Sequence, residues 1–364
     1  MPCPFFICAR SDFIPEFILY YIMGYGRTIL VSSLVLLCTG LFYMFSVFVP
    51  LPLNTDKEVA IRRGLSYDET LTLLKRKGLI RDGFILSFLG RVLNLDGRIK
   101  SGYYRFSGSV TPFKVLSNLV KGRVEEVSVT IPEGFNLRQI AKRLGDSGII
   151  DENSFFSLAY DRGFLNSLGI KAPSLEGYLF PDTYRFPKGA SGEYVIREMV
   201  ENMRRQFNKK MRTRAEAIGF SEREVLTLAS IIEKETGLDD ERPVISAVFH
   251  NRLRRGMPLQ ADPTAVYGVK DQSAGITLKD LKRKSAYNTY QIRGLPAGPI
   301  ASPGLKSIRA ALFPADVPYL YFVSESNGRH YFSITESEHR RAVQRFRAKR
   351  HTAVKRPRPL VVNR

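Results

Sequence analysis

Two glutamates separated by one residue, Glu233 and Glu235, close the stretch SEREVLTLASIIEKETG that runs from Ser221 to Gly237. Ser221 with Glu224 three residues on is a capping-box pattern, so a helix is expected to begin there. Val225, Leu228, Ala229 and Ile232 recur at helical spacing, and Glu235 extends their row. At about 100° per residue the two glutamates lie about 200° apart, so only one can point into a given site. Glu235 falls beside Leu228 and Ile231, Glu233 between Ala229 and Leu226, which leans weakly toward Glu235 as the inward one. A carboxyl in apolar surroundings at the last turn of a helix keeps its proton, because burial and the helix dipole both disfavour added negative charge there. Such a group is a candidate general acid. On the helix alone, an equal reading makes Glu235 half of a buried ion pair with Arg242 or Arg252.

The neighbouring segments must position that carboxyl. ERPVISAVFHNRLRRG, from Glu241 to Gly256, is expected as a helix with Pro243 near its start, turning Asn251 and Arg252 toward a site. LQADPTAVYG follows, then SAYNTYQIRGLPAGPIASPG, whose Gly, Pro, Tyr and Asn content reads as a structured loop. Farther on, YLYFV and HYFSI flank SESNGR, with Asn327-Gly328 as the turn of a hairpin. Thr335 and Glu338 form another capping box, opening a helix that carries His339. Four histidines without paired ligand spacing give no support to a metal site, and no motif asks for a cofactor.

Upstream, residues fall into register when Gly64 is laid on Gly134. Leu74 then meets Leu144, Gly78 meets Gly148, and Leu79-Ile80 meets Ile149-Ile150. Tyr104-Arg105-Phe106 echoes Tyr184-Arg185-Phe186, and Thr111-Pro112 reads as a cap followed by proline at the first helical position. Duplication and coincidence explain these short matches equally well. From Thr28 to Val49 no residue is charged, a length that spans a bilayer core. A retained anchor is expected rather than a cleaved signal, since the run exceeds an h-region of about 7 to 15 residues. Met23 would also serve as a start. Cys3, Cys8 and Cys38 all lie before or within this run, which suits an oxidising compartment beyond it. The net charge of +20 favours an anionic partner without selecting one.

EGYLFPDTYRF, LASIIEKETG, VFHNRLRRGMPLQADPTAVYG, SAYNTYQIRGLPAGPIASPG and YLYFV with HYF and EH, in this order, resemble the endolytic murein transglycosylase family, MltG or YceG-like. Ala297 and Ser302 depart from the proline and asparagine found in much of that family. The resemblance implies an α+β protein with a single N-terminal transmembrane helix, a LysM-like membrane-proximal subdomain and a mixed α+β catalytic domain. The expected spans are a cytoplasmic segment 1–27, the membrane helix 28–49, the LysM-like region 55–190, the catalytic domain 191–346 and a basic tail 347–364. Within the LysM-like region, Ile131 to Ile149 is the piece that looks like half a LysM unit.

It further implies a lyase that cuts the β-1,4 bond between N-acetylmuramic acid and N-acetylglucosamine in nascent strands, leaves 1,6-anhydro ends and so terminates strand elongation. Glu235 would be acid, then base. Glu176, Tyr178, Asp182, Asn251, Arg252, Gln260, Asp262, Tyr287, Asn288, Thr289 and Tyr290 are expected to shape the groove or contact sugars. A hydrolase would need a second carboxylate, for which Asp262, Glu176 and Asp182 are candidates. The implied location is the inner membrane with the catalytic part in the periplasm, beside peptidoglycan synthases. A non-catalytic wall scaffold or glycan-binding protein is the rival reading. Nucleic acid as partner would leave the anchor and the ordered motifs unexplained.

Overall fold

A computed structural model describes residues 16–95, 97–270, 275–325 and 328–354, with side chains over 28–347. It divides at Glu125/Glu126 into two compact units, within the region expected at 55–190. The first contains helix α1 (Glu16–Ser46), strands β1 (Leu51–Pro52) and β2 (Lys57–Ile61), helices α2 (Tyr67–Arg76) and α3 (Phe84–Val92), strands β3 (Gly102–Phe106) and β4 (Ser109–Val110), and α4 (Pro112–Lys121). The second begins with β5 (Glu126–Thr130), α5 (Leu137–Asp146), α6 (Glu152–Tyr160), α7 (Arg162–Ser167) and β6 (Thr183–Pro187). It continues through α8 (Gly192–Gln206), α9 (Lys209–Ala217), α10 (Glu222–Glu235), α11 (Arg242–Arg254), α12 (Asp262–Val266), α13 (Leu278–Lys282) and α14 (Leu305–Leu312). A hairpin, β7 (Tyr321–Ser324) and β8 (His330–Ser333), and α15 (Glu336–Val354) complete it. The chain is therefore mixed α+β.

Within α1, Thr28–Ser46 is long and apolar enough to cross a membrane, with a mean hydropathy of 2.1 and none of it buried. The helix stops at Ser46, three residues before Val49, where the span expected from sequence ends. Val47 leaves the helix because its side chain enters the first unit's core, where it is 4% exposed. Its carbonyl accepts a hydrogen bond from the Phe113 amide at 3.2 Å.

The two units open with the same local construction. β2 pairs antiparallel with β3, setting Val59 opposite Tyr104; β5 pairs antiparallel with β6, setting Val129 opposite Tyr184. Ser66 and Glu69 box the start of α2, while Asn136 and Gln139, seventy positions on, box the start of α5. Gly78 and Gly148 follow those helices at φ +66° and +65°, a conformation that side-chain-bearing residues rarely adopt. Tyr104 donates its hydroxyl hydrogen to Lys100 O and stacks on Phe106; Tyr184 donates to Phe180 O and stacks on Phe186. In both cases a strand, its helices and a returning strand enclose one tyrosine whose hydroxyl finds the carbonyl four residues back.

Helix α10 sits at the centre of the second unit. Every residue from Val225 to Ile232 is buried, so this helix is enclosed on all sides. Ser221 caps it as the sequence suggests, accepting from the Glu224 amide while Glu224 Oε2 accepts from the Ser221 amide at 2.8 Å. The hairpin forms with Phe322 opposite Phe332; Asn327 of its expected turn lies outside the described residues. Thr335 and Glu338 box the start of α15.

Replacing Ser221 by Ala removes the cap of this central helix and is expected to lower stability by about 1 kcal/mol. Urea unfolding reads it, and an unchanged midpoint would show that the cap contributes nothing.

Candidate active site

The two glutamates of the EKE segment have different environments. Glu233 is tied: its Oε1 lies 3.4 Å from Arg242 Nη2, both side chains are buried, and its Oε2 accepts the Gly304 amide at 2.9 Å. Arg242 also pairs with Asp239 and donates to Ser307 Oγ. The buried ion pair that the helix allowed for Glu235 thus belongs to Glu233. Glu235, the last residue of α10, is half-buried as a whole, yet its Oε1 is enclosed with no hydrogen-bond partner. Burial first, and then the negative charge of Asp262, push its carboxyl up from 4.5 to about 8, against the opposing charge of Arg252. At neutral pH Glu235 holds a proton.

Glu235 opens onto a cavity of about 420 Å³ whose walls include Arg252, Gln260, Asp262 and Tyr290. Asp262 is exposed and accepts the Tyr290 hydroxyl at 2.6 Å. Burial and that contact push the Tyr290 hydroxyl strongly upward, which keeps it a donor. Gln260 has φ +51°, a left-handed conformation that costs on the order of 1–3 kcal/mol away from glycine. Thr289 holds it there, since the Gln260 amide donates to Thr289 O at 3.1 Å and the Ala261 amide to Thr289 Oγ1 at 2.9 Å. Arg252 ties its helix to two other segments: it donates to Leu320 O at 2.7 Å, and to Leu259 O at 2.8 Å and Gln260 Oε1 at 3.2 Å. Its guanidinium also lies 5.1 Å from the Tyr321 ring centre.

Of the residues singled out in sequence, Glu235, Arg252, Gln260, Asp262 and Tyr290 therefore share this cavity. The others do not line it. Glu176 is buried and accepts from the Leu137 amide and, at 2.8 Å, from the Tyr267 hydroxyl; burial raises it to about 7. Tyr178 is a core residue, 4% exposed. Asp182 accepts from Asn202 Nδ2 at 2.9 Å and from the Thr183 amide. Asn251 donates to Val317 O and Tyr319 O. Asn288 donates to Asp280 O, Leu281 O and Arg283 O, and Tyr287 lies against Tyr267 with ring centres 4.7 Å apart. Ala297 and Ser302 meet their neighbours through backbone, Ala297 O accepting from Arg223 and the Ser302 amide donating to Phe135 O at 2.7 Å.

A further part of the lining was missed in sequence. It comes from the hairpin and α15: Phe322, Ser324, His330, His339, Phe346 and Arg347. His330 is fixed by Glu241, whose Oε2 is 2.6 Å from Nδ1 and whose Oε1 accepts the His330 amide. His339 stacks on Tyr321, and burial lowers its pKa. The available signal was two of only four histidines on consecutive C-terminal elements. Among the described residues no cluster of His, Cys, Asp and Glu could hold a metal ion.

Residues 59–345 match the model of the YceG-like family. An endolytic murein transglycosylase of Bacillus subtilis (strain 168) is 31% identical over 310 residues, covering 80% of this chain and 85% of its own. One from Streptococcus pneumoniae serotype 2 (strain D39 / NCTC 7466) is 31% identical over 338 residues, covering 84% of this chain. The chain spans 61% of that relative's length. The crystal structure of a yceG-like protein from Listeria monocytogenes superposes with a TM-score of 0.55 at 35% identity, covering 79% of this chain and 98% of that one.

A carboxyl raised on folding binds more protons in the native state than in the unfolded chain between its two pKa values. Stability therefore falls as pH rises from about 4.5 to about 8. Glu235→Gln should remove that dependence, so its melting temperature should exceed the parent's by a margin that widens up to about pH 8. Arg242→Ala leaves Glu233 buried without its counter-charge and should cost about 3–5 kcal/mol. Thermal unfolding across pH reads both; equal curves for Glu235→Gln and parent would contradict the enclosed, protonated state.

Proposed function

Since the chain belongs to the YceG-like family, we propose that it is an endolytic murein transglycosylase acting through Glu235. The carrying observation is one enclosed, unpaired carboxyl, protonated at neutral pH, at the wall of an open cavity. Glu235 gives its proton to the glycosidic oxygen between N-acetylmuramic acid and N-acetylglucosamine, and the bond from that oxygen to C1 breaks. The resulting carboxylate takes the proton of the muramic C6 hydroxyl as O6 bonds to C1. The glutamic acid is restored, no water is consumed, and the strand ends in a 1,6-anhydro ring. Asp262, held by Tyr290, faces the positive charge that develops at C1 and stabilises it electrostatically. Two carboxylates in one cavity thus take different roles because one is enclosed and the other is solvated and hydrogen-bonded.

The units bearing β2-α2-α3-β3 and β5 to β6 are read as LysM-like glycan-binding modules, supported by their paired end strands around intervening helices. Helix α1 is read as a retained single-pass anchor rather than a cleaved signal. Val47, immediately beyond it, is a core residue of the first unit, and that core would lose it on cleavage. On this reading the catalytic unit lies on the periplasmic face of the inner membrane. There it ends strands as synthases supply them.

Digestion of purified peptidoglycan by the full chain should give anhydro ends by mass spectrometry, and Glu235→Gln should give none while remaining folded. Reducing ends would instead mean hydrolysis, with Asp262 as the second carboxylate. Asp262→Asn should slow turnover by about 10²- to 10³-fold. It should also shift the high-pH limb of the rate profile to lower pH, because the charge that raises Glu235 is gone. A limb that stays in place would remove Asp262 from the site's electrostatics.

A further inference from the structure

Helix α3 presents an apolar row to the outside of the first unit. Phe84, Phe88 and Val92, at i, i+4 and i+8, are 78%, 60% and 63% exposed, and Leu93 beyond them is 54% exposed. This spacing puts all three on one face of the helix. Rotation cannot hide them, because the other face is locked. A Cβ on Gly90 would come within 2.3 Å of the Tyr67 ring, the Tyr67 hydroxyl donates to Leu86 O at 2.7 Å, and Leu86 is fully buried. On one flank Ser87 Oγ donates to Asp68 Oδ1 at 2.8 Å.

The row begins where the apolar helix α1 ends. Ile85 and Leu86 share a cavity of about 270 Å³ with Phe42, Phe45, Val47 and Arg81. Exposed aromatics mark the same end: Phe48 lies tilted against Phe113 with ring centres 5.2 Å apart, and each is more than half exposed. Between α1 and the unit there is no free linker, since Val47 is in the core and β1 pairs with β4 five residues after Ser46.

We propose that the Phe84/Phe88/Val92 face of α3 is a membrane-contact surface, seated in the interfacial region of the bilayer that α1 crosses. This rests on reading α1 as a retained anchor. An amphipathic helix lying in the interface buries such a row among the acyl chains near the headgroups. Continuity with the spanning helix favours lipid over a protein occupant. Seated this way, the first unit is held against the membrane at two points, the end of α1 and the face of α3.

The chain contains no tryptophan, so Phe88→Trp makes a single reporter in the full chain. We would reconstitute it in vesicles of phosphatidylglycerol and phosphatidylcholine, with the latter either unmodified or brominated on its acyl chains. The expected result is a blue-shifted emission that loses most of its intensity in the brominated vesicles, repeated with Phe84→Trp. Protein that floats with the vesicles while emitting as in water overturns the surface and leaves the anchor standing. Blue-shifted emission that bromine does not quench means that a second copy or another protein covers the row, and also overturns it. Protein that fails to float overturns the anchor and the surface together.

Discussion

Keeping one carboxyl protonated and unpaired beside water is the constraint around which the second unit is built. The charged form of a carboxyl is costly to desolvate, so an enclosed carboxyl without a partner keeps its proton. Helix α10 achieves this by being enclosed on every side from Val225 to Ile232 and ending at Glu235. Its last turn therefore emerges from the core straight into the cavity. The cation that would neutralise Glu235 is spent elsewhere: Arg242 goes to Glu233, and the Arg252 fork is occupied by the carbonyls of Leu320 and Leu259. The segments that the glycine- and proline-rich stretch supplies serve the same end, with Ile300 N on Ser230 Oγ and Gly304 N on Glu233 Oε2 fixing that loop to α10.

Much of this was legible beforehand, and the limits follow from physics. Caps are local, so Ser221, Thr111 and Thr335 stood where their patterns placed them. The C-terminal hairpin follows from its apolar segments and turn signal, whereas the echo of Tyr104-Arg105-Phe106 in Tyr184-Arg185-Phe186 did not itself reveal that both lie on paired strands. The helical wheel leaned only weakly between Glu233 and Glu235 because a wheel needs a polar side for contrast, and a helix buried all round has none. Sorting polar residues into groove and scaffold failed for a related reason. Asn288, Thr289, Asn251 and Glu176 have the same chemistry whether they hold a sugar or a backbone amide or carbonyl, and only the fold shows that they hold backbone. The His330 and His339 wall depends on contacts across about a hundred residues of sequence, which periodicity does not encode.

Burial of polar groups in this unit is thus a form of positioning. Thr289 keeps Gln260 in a backbone conformation that it would not hold alone, and Asn288 closes the turn that presents Tyr290 to Asp262. A fully satisfied polar network of this kind is rigid and specifies a unique arrangement, whereas a single unpaired member is expensive. Most of the buried polar groups around the cavity are paired, and the exceptions on its lining are Glu235 Oε1 and His339 Nδ1.

The part of the cavity lining from Phe322 to Arg347 is laid down more than eighty residues after Glu235 in the order of synthesis. A chain emerging N-terminus first has Glu235 long before it has the histidines, Phe346 and Arg347 that share its cavity. The lining of this cavity is therefore complete only when the last described elements of the chain are in place.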